Sequence, residues 1–326
     1  MRSAEARPRS RFHWCDPMNF RRITDSLTTL VAWTMSILVT VLTAAIAAAL
    51  LHRSLPILAE HPLMHLVLGE TWEPMNGEFG LRAFILGTVW VTVLAMLLAT
   101  PICLLTAIYL AEYAGPGAKA AVRPLVDVLA GIPSVVYGLF GVLVIVPLIQ
   151  DHLTPFAEEH FAGVALLSPR PESGGYCVLA GGLVLALMVA PVIISVAEEV
   201  LRGVPVGIRE ASLSLGATRW ETVAHVTLRH ALPGLVAAVV LGFSRAFGET
   251  MAVLMVVGNV VAAPQSVFAP AYPLPALIAN NYGEMMSVPL YDSALLLAAL
   301  VLLVVVLAFN LLAQGVLALA QRRAAR

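Results

Sequence analysis

The chain has 326 residues, 60% of them hydrophobic and only 12% charged. Soluble domains carry about 25% charged residues, so this composition excludes an ordinary water-exposed globule and points to lipid. With 19 basic residues against 20 acidic ones the formal charge is −1, which excludes the broad basic field that gathers nucleic acid.

Crossing about 30 Å of hydrocarbon takes roughly 20 apolar residues in a helix. Six such runs occur, near 27–51, 84–111, 125–149, 178–197, 233–258 and 291–318. The expected fold is therefore an all-α membrane protein with six transmembrane helices in one bundle. Its organisation reads as an N-terminal tail over 1–26, a first transmembrane helix over 27–51, an outer segment over 52–83, a core over 84–318 with a polar connection near 198–232, and a tail over 319–326. The first run exceeds the 7–15-residue apolar region of a cleaved leader and is read as a retained span. Pro133, Pro147 and Pro191 interrupt later runs, and such breaks persist in lipid only where packed neighbours satisfy the freed backbone groups.

Basic residues in the connections set the orientation. Fifteen lie on one side: Arg2, Arg7, Arg9, Arg11, Arg21 and Arg22 in the tail, Lys119 and Arg123, then Arg202, Arg209, Arg219 and Arg229, and finally Arg322, Arg323 and Arg326. The opposite connections hold three, Arg53, Arg82 and Arg170. This asymmetry predicts both termini in the cytoplasm, as does an even number of spans. Cys15, Cys103 and Cys177 have no CxxC spacing, and His61 and His65 lack an HExxH frame, so neither a disulfide framework nor a metal site is expected.

The connection from Glu198 to Pro233 is too polar to span. After Gly203, Pro205 and Gly207 it places Ile208, Ala211, Leu215, Trp220, Val223 and Val226 at roughly helical intervals, with Gly216 interrupting two short helices. On pattern alone it suits either a partner's groove or the lipid headgroup layer, with Trp220 and Arg219 as interface anchors. In the fifth run, Gly242-Phe243-Ser244-Arg245-Ala246-Phe247-Gly248-Glu249-Thr250 puts Arg245 and Glu249 four residues apart, on one face if the helix is continuous. A charge at mid-bilayer costs about 2.5–3.5 kcal/mol on insertion scales, so the pair is expected to face protein or a wet pathway. It serves either as a structural salt bridge or as a station for an oxyanion, which a guanidinium grips through paired hydrogen bonds. Gly242 and Gly248 offer close approach for a neighbouring helix or ligand. Ser134 and Tyr137 in the third run either offer hydroxyls to the same pathway or bond carbonyls of their own helix.

Three phrases carry a family resemblance. Glu210-Ala211-Ser212-x3-Gly216 with Val226-x-Leu228 resembles the EAA signature of binding-protein-dependent ABC importer permeases. Ser212 replaces the second alanine, Val226 an isoleucine and Arg229 the usual proline, with Leu232-Pro233 moving the helix break four residues onward. Gly131-Ile132-Pro133-Ser134-Val135-Val136-Tyr137-Gly138-Leu139-Phe140-Gly141 and Arg245-Ala246-Phe247-Gly248-Glu249-Thr250-Met251-Ala252-Val253, ending Gly258-Asn259, resemble the PstC-type permease of the phosphate ABC importer. The resemblance covers most of residues 80–318 and implies a MetI-like bundle without an ATPase site of its own. It further implies a PstA-type permease partner, a PstB-type ATPase dimer that hydrolyses ATP with magnesium, and a PstS-type periplasmic phosphate-binding protein. The connection bearing Glu210, Ala211, Ser212 and Gly216 becomes the ATPase-coupling loop, and Arg245 and Glu249 the substrate pathway. No GxxxxGK[ST] phosphate cradle occurs in the chain. Sulfate, molybdate or phosphonate import is the near alternative, and a secondary transporter using Glu249 as a proton relay the distant one. An intramembrane enzyme is disfavoured by the lack of GxSxG and HExxH motifs.

Overall fold

The computed structural model describes residues 17–161, 163–169, 174–284 and 287–324. Arg2, Arg7, Arg9, Arg11, Cys15, Arg170 and Arg326 lie outside the described residues. Among the described residues, six helices are long and apolar enough to cross a membrane: span 1 (Asp25–Glu60), span 2 (Arg82–Tyr113), span 3 (Ser134–Phe161), span 4 (Val178–Arg202), span 5 (Arg219–Phe247) and span 6 (Tyr291–Gly315). The chain divides into two compact units between Ala49 and Leu50. The helix carrying span 1 begins at Pro17 and continues to Glu60, beyond both ends of the apolar run. Its hydroxyls bond back to their own helix, Ser36 to the Ala32 carbonyl, Thr40 to that of Ser36 and Thr43 to that of Val39, each at 2.9 Å. That removes polar groups lipid cannot satisfy.

In the second unit, span 2 lies along span 4 in the most extensive helix contact of the molecule, and span 4 also backs span 5. The seam is built from small residues: Ala95, Ala99 and Ala107 on span 2 and Ala180, Gly181 and Ala197 on span 4 are buried. Small side chains let backbones approach, the main source of helix adhesion where lipid is as apolar as the helices. Val91, Val184, Val189 and Ile193 fill the remaining space. At the end of the bundle opposite the Glu198–Pro233 connection, Trp72, Phe84, Tyr272 and Tyr291 form an aromatic layer. The Tyr272 hydroxyl accepts from Asn280 and Asn281 at 3.0 and 2.9 Å, and Tyr291 donates to Asn281 at 2.9 Å. Asn280 and Asn281 thus pin the short helix Leu274–Asn281 to its surroundings.

Two spans differ from their sequence reading. The third apolar run is not one helix: an amphipathic helix, Pro116–Gly131, ends at Ile132–Pro133, and span 3 starts afresh at Ser134. Proline disfavours helical backbone at the residue before it, and Ile132 is accordingly extended (ψ 129°). Span 3 instead runs on to Phe161, beyond the end of the apolar run, through two π-helical turns, Gly141–Ile145 and Ile149–Leu153. The fifth run breaks as well. Span 5 stops at Phe247, Gly248 to Thr250 are non-helical, and a separate helix covers Met251–Val256. At its start, span 5 passes through Pro233 without a break. A π-helical turn, Thr222–Thr227, lies in its first part instead.

Candidate functional site

The break in span 5 separates the two charges that a continuous helix would pair. One stripe of span 5, Ala231, Leu235, Ala238, Gly242 and Ala246, is buried, and a Cβ at Gly242 would stand 2.5 Å from Ile193 Cγ1 of span 4. Gly242 is therefore a close-approach residue. Gly248 is not, since a Cβ there would meet nothing nearer than 3.8 Å; it terminates the helix. Phe243, Phe247 and Phe309 pack together, and the Ser244 hydroxyl donates to the Asn310 side chain, so a second face of span 5 is held by span 6. Arg245 lies off both faces, exposed at an edge of the chain.

Glu249 does not neutralise it. Its Oε1 accepts from the Ala252 amide at 3.1 Å, capping the Met251–Val256 helix, while the Glu249 amide donates back to the Ala246 carbonyl at 3.3 Å. A carboxylate at a helix N-terminus and a guanidinium in the last turn of another are both favoured by the helix dipoles. The expected ion pair is thus replaced by two charge–helix arrangements, and among the described residues Arg245 has no carboxylate partner. The Tyr137 hydroxyl donates to the Leu129 carbonyl at 2.7 Å, across the Ile132–Pro133 break. Ser134, half-buried, opens span 3 directly after Pro133. Met255 packs on span 3, where a Cβ on Gly138 would stand 2.6 Å from its sulfur.

The polar connection folds into a helix, Val206–Ser214, a turn, and the start of span 5. Gly216 makes the turn at φ +87°, a conformation costly to residues with a Cβ. Thr218 and Glu221 form a reciprocal capping box for the second helix. Ser212 lies 3.0 Å from the Thr222 hydroxyl, tying the two arms together. Of the residues expected on one apolar face, Val223 is buried whereas Leu215 and Trp220 are 89% and 59% exposed. Together with exposed Val206 and Leu213 they give the connection an apolar outer surface. Glu210 and Ala211 are exposed on the same helix.

Several residues of this end were not singled out by sequence. Arg209 joins Glu112, at the end of span 2, at 2.8 Å. Glu198, 6% exposed, holds Arg123 of the amphipathic helix at 2.8 Å and Arg202 at 3.4 Å, beside a cavity of about 460 Å³ bounded also by Asp127 and Glu199. The Glu198–Arg202 spacing of four is a local signal, but nothing local in sequence announces that Arg123 and Arg209 meet acids 75 and 97 positions away.

The six membrane-length helices among the described residues, with the family match, make this a multi-pass transport component of the inner membrane. The chain belongs to the family of binding-protein-dependent transport system inner membrane components, whose pattern matches residues 103–326. It is similar to the probable phosphate transport system permease protein PstC of Methanocaldococcus jannaschii, 36% identical over 240 residues, 74% of this chain and 76% of that one. The phosphate transport system permease protein PstC of Xylella fastidiosa is 37% identical over 245 residues, 74% and 75% of the two chains. That of Mesorhizobium japonicum is 33% identical over 285 residues, 87% and 86%. Among solved structures, a bacterial alginate ABC transporter in complex with a pentasaccharide-bound periplasmic protein shares the fold with TM-score 0.53 at 17% identity, over 92% of this chain and 95% of that one. The MetNI methionine ABC transporter, inward facing, gives TM-score 0.51 at 20% identity over 72% and 93%. The MetI-like bundle expected from sequence is the fold found.

Proposed function

We propose that this chain is a membrane-spanning subunit of an ATP-driven importer of inorganic phosphate. The observation that supports this most directly is the 36–37% identity over about three quarters of the chain to proteins named as PstC phosphate permeases. In this reading both termini are cytoplasmic. A PstA-type permease completes the pathway, a PstB-type ATPase dimer using ATP and magnesium sits against the exposed apolar surface around Leu213, Leu215 and Trp220, and a PstS-type protein delivers phosphate from outside. Hydrolysis takes place on the ATPase, and this subunit supplies the route.

Arg245 is the residue that meets the anion. Its guanidinium sits at an uncovered edge with no carboxylate partner among the described residues, so its donors remain available for the paired bonds that oxyanions accept. Glu249 fixes the break that presents Arg245, and the oxygen not used in the cap can accept a hydrogen bond from the hydroxyl that phosphate, unlike sulfate, still carries near neutral pH. A site built to accept that hydrogen bond disfavours a ligand without a donor, because the acceptor is left unpaired.

The test is purification of the chain with its co-isolating subunits, followed by ATPase assays. Stimulation by a phosphate-loaded binding protein, with phosphate uptake into proteoliposomes, is the expected result. Stimulation only by sulfate, molybdate or phosphonate carriers would move the assignment to that anion. Uptake driven by a proton gradient with no ATPase attached would replace it with a secondary transporter.

A further inference from the structure

Both arms of the 198–232 connection grip one place on a span to which the connection is not joined in sequence. From the first arm, Arg209 donates through Nη2 to the Glu112 carboxylate at 2.8 Å and to the Leu201 carbonyl at 2.6 Å, and through Nη1 to the Val204 carbonyl at 3.1 Å. From the second arm, beyond the Gly216 turn, Arg219 donates to the main-chain carbonyl of the same Glu112. Its guanidinium lies 4.9 Å from the ring centre of Tyr113, within cation–π range. Glu112 and Tyr113 close span 2 in a π-helical turn, Tyr109–Tyr113. The acid and Arg209 are only 10% and 19% exposed in their side chains, so water and salt screen the pair weakly.

We infer that Glu112 and Tyr113 are where displacement of the coupling loop enters the membrane domain, with Arg209 and Arg219 as positioning residues that make the loop and span 2 move together. A loop attached only through its own chain would pull on spans 4 and 5 alone. The two arginines add span 2, which has the most extensive packing on span 4, and a stroke passed through packed rigid helices reaches the pathway without slack. This inference rests on the loop being the ATPase contact, as proposed above.

The experiment uses the complete transporter in proteoliposomes and measures retained ATPase subunit, ATP hydrolysis and phosphate imported per ATP. Glu112→Gln and Arg209→Gln are expected to keep the ATPase subunit and hydrolyse within about twofold of the unaltered transporter, while import per ATP falls at least fivefold. Glu112→Cys/Arg209→Cys should show the same loss and regain at least half of the ratio when bridged by a short bis-maleimide, with the reagent-treated unaltered transporter as control. Import per ATP within twofold in the glutamine variants overturns the inference, as does a bridge that leaves the ratio unchanged or lowers it. Loss of the ATPase subunit from either variant also overturns it, since the pair would then serve docking. Absence of any ATPase from the unaltered complex would instead remove the docking reading beneath it.

Discussion

Arg209 and Arg245 are the same side chain put to opposite uses. Arg209 is largely enclosed, with one carboxylate and two carbonyls in reach; Arg245 stands at an open edge of a broken helix with no carboxylate partner among the described residues. A guanidinium whose donors are occupied inside one chain fixes distance, and one whose donors are open waits for something outside the chain. The contrast separates the end that receives force from the place that meets the solute.

The comparison breaks first at Arg245. Arg245→Lys keeps the charge and removes the fork, and a hydrogen bond to a charged group is worth about 1.5–3 kcal/mol, so phosphate uptake should fall on the order of 10- to 100-fold with the complex intact. Uptake equal to the unaltered transporter would show that the open edge is not on the route. Glu249→Gln retains an oxygen for the Ala252 amide but not the charge. It should lower phosphate uptake about tenfold and admit sulfate measurably. An unchanged phosphate-to-sulfate ratio would leave Glu249 with the cap alone.

The loop end gives smaller effects. Gly216→Ala forces a Cβ into φ +87°, costing about 1–2 kcal/mol locally. Coupled uptake should drop several-fold, out of proportion to a melting temperature lowered by a few degrees. Glu210→Arg, a charge reversal on the exposed helix face, should reduce either ATPase retention or uptake per ATP, and normal values of both would count against docking at this surface.

How far sequence carried this reading depends on the range of the interaction involved. Six apolar runs were legible because lipid selects on composition alone, and the Gly216 turn because glycine punctuates helices locally. The break at Gly248–Thr250 was not legible. Gly-Glu-Thr contains no proline, and an i,i+4 Arg–Glu spacing reads as a salt bridge on any uninterrupted helix. The cap that Glu249 supplies to Ala252 becomes visible only once the helix is seen to restart. Pro133 gave the opposite outcome, since its effect on Ile132 is local steric repulsion and its position was marked from the start, although the split of the third run into two helices was not drawn from it. Glu112 and Glu198 were missed for a third reason. Glu112 meets Arg209 across 97 residues and Glu198 meets Arg123 across 75, and no periodicity spans those distances; the Glu198–Arg202 pair alone is local, at i,i+4.

The smallest expected effect decides between two uses of Tyr137. Its hydroxyl donates to the Leu129 carbonyl at 2.7 Å, which also accepts from the Ile132 amide at 3.3 Å where the Pro116–Gly131 helix ends. Tyr137→Phe deletes this bond while keeping the ring, which is 7% exposed. The Leu129 carbonyl then keeps only the Ile132 amide, and one lost hydrogen bond costs about 1 kcal/mol, so the melting temperature of the complex should fall by a few degrees and uptake should stay within about twofold. If uptake instead fell tenfold at unchanged stability, the hydroxyl would be acting on the anion beside Arg245, and the open site would extend from span 5 onto span 3. Ser134→Ala serves as the companion measurement: Ser134 opens span 3 one turn before Tyr137, so a loss of uptake in both variants would draw the route along this face, whereas a loss in neither would confine it to the arginine.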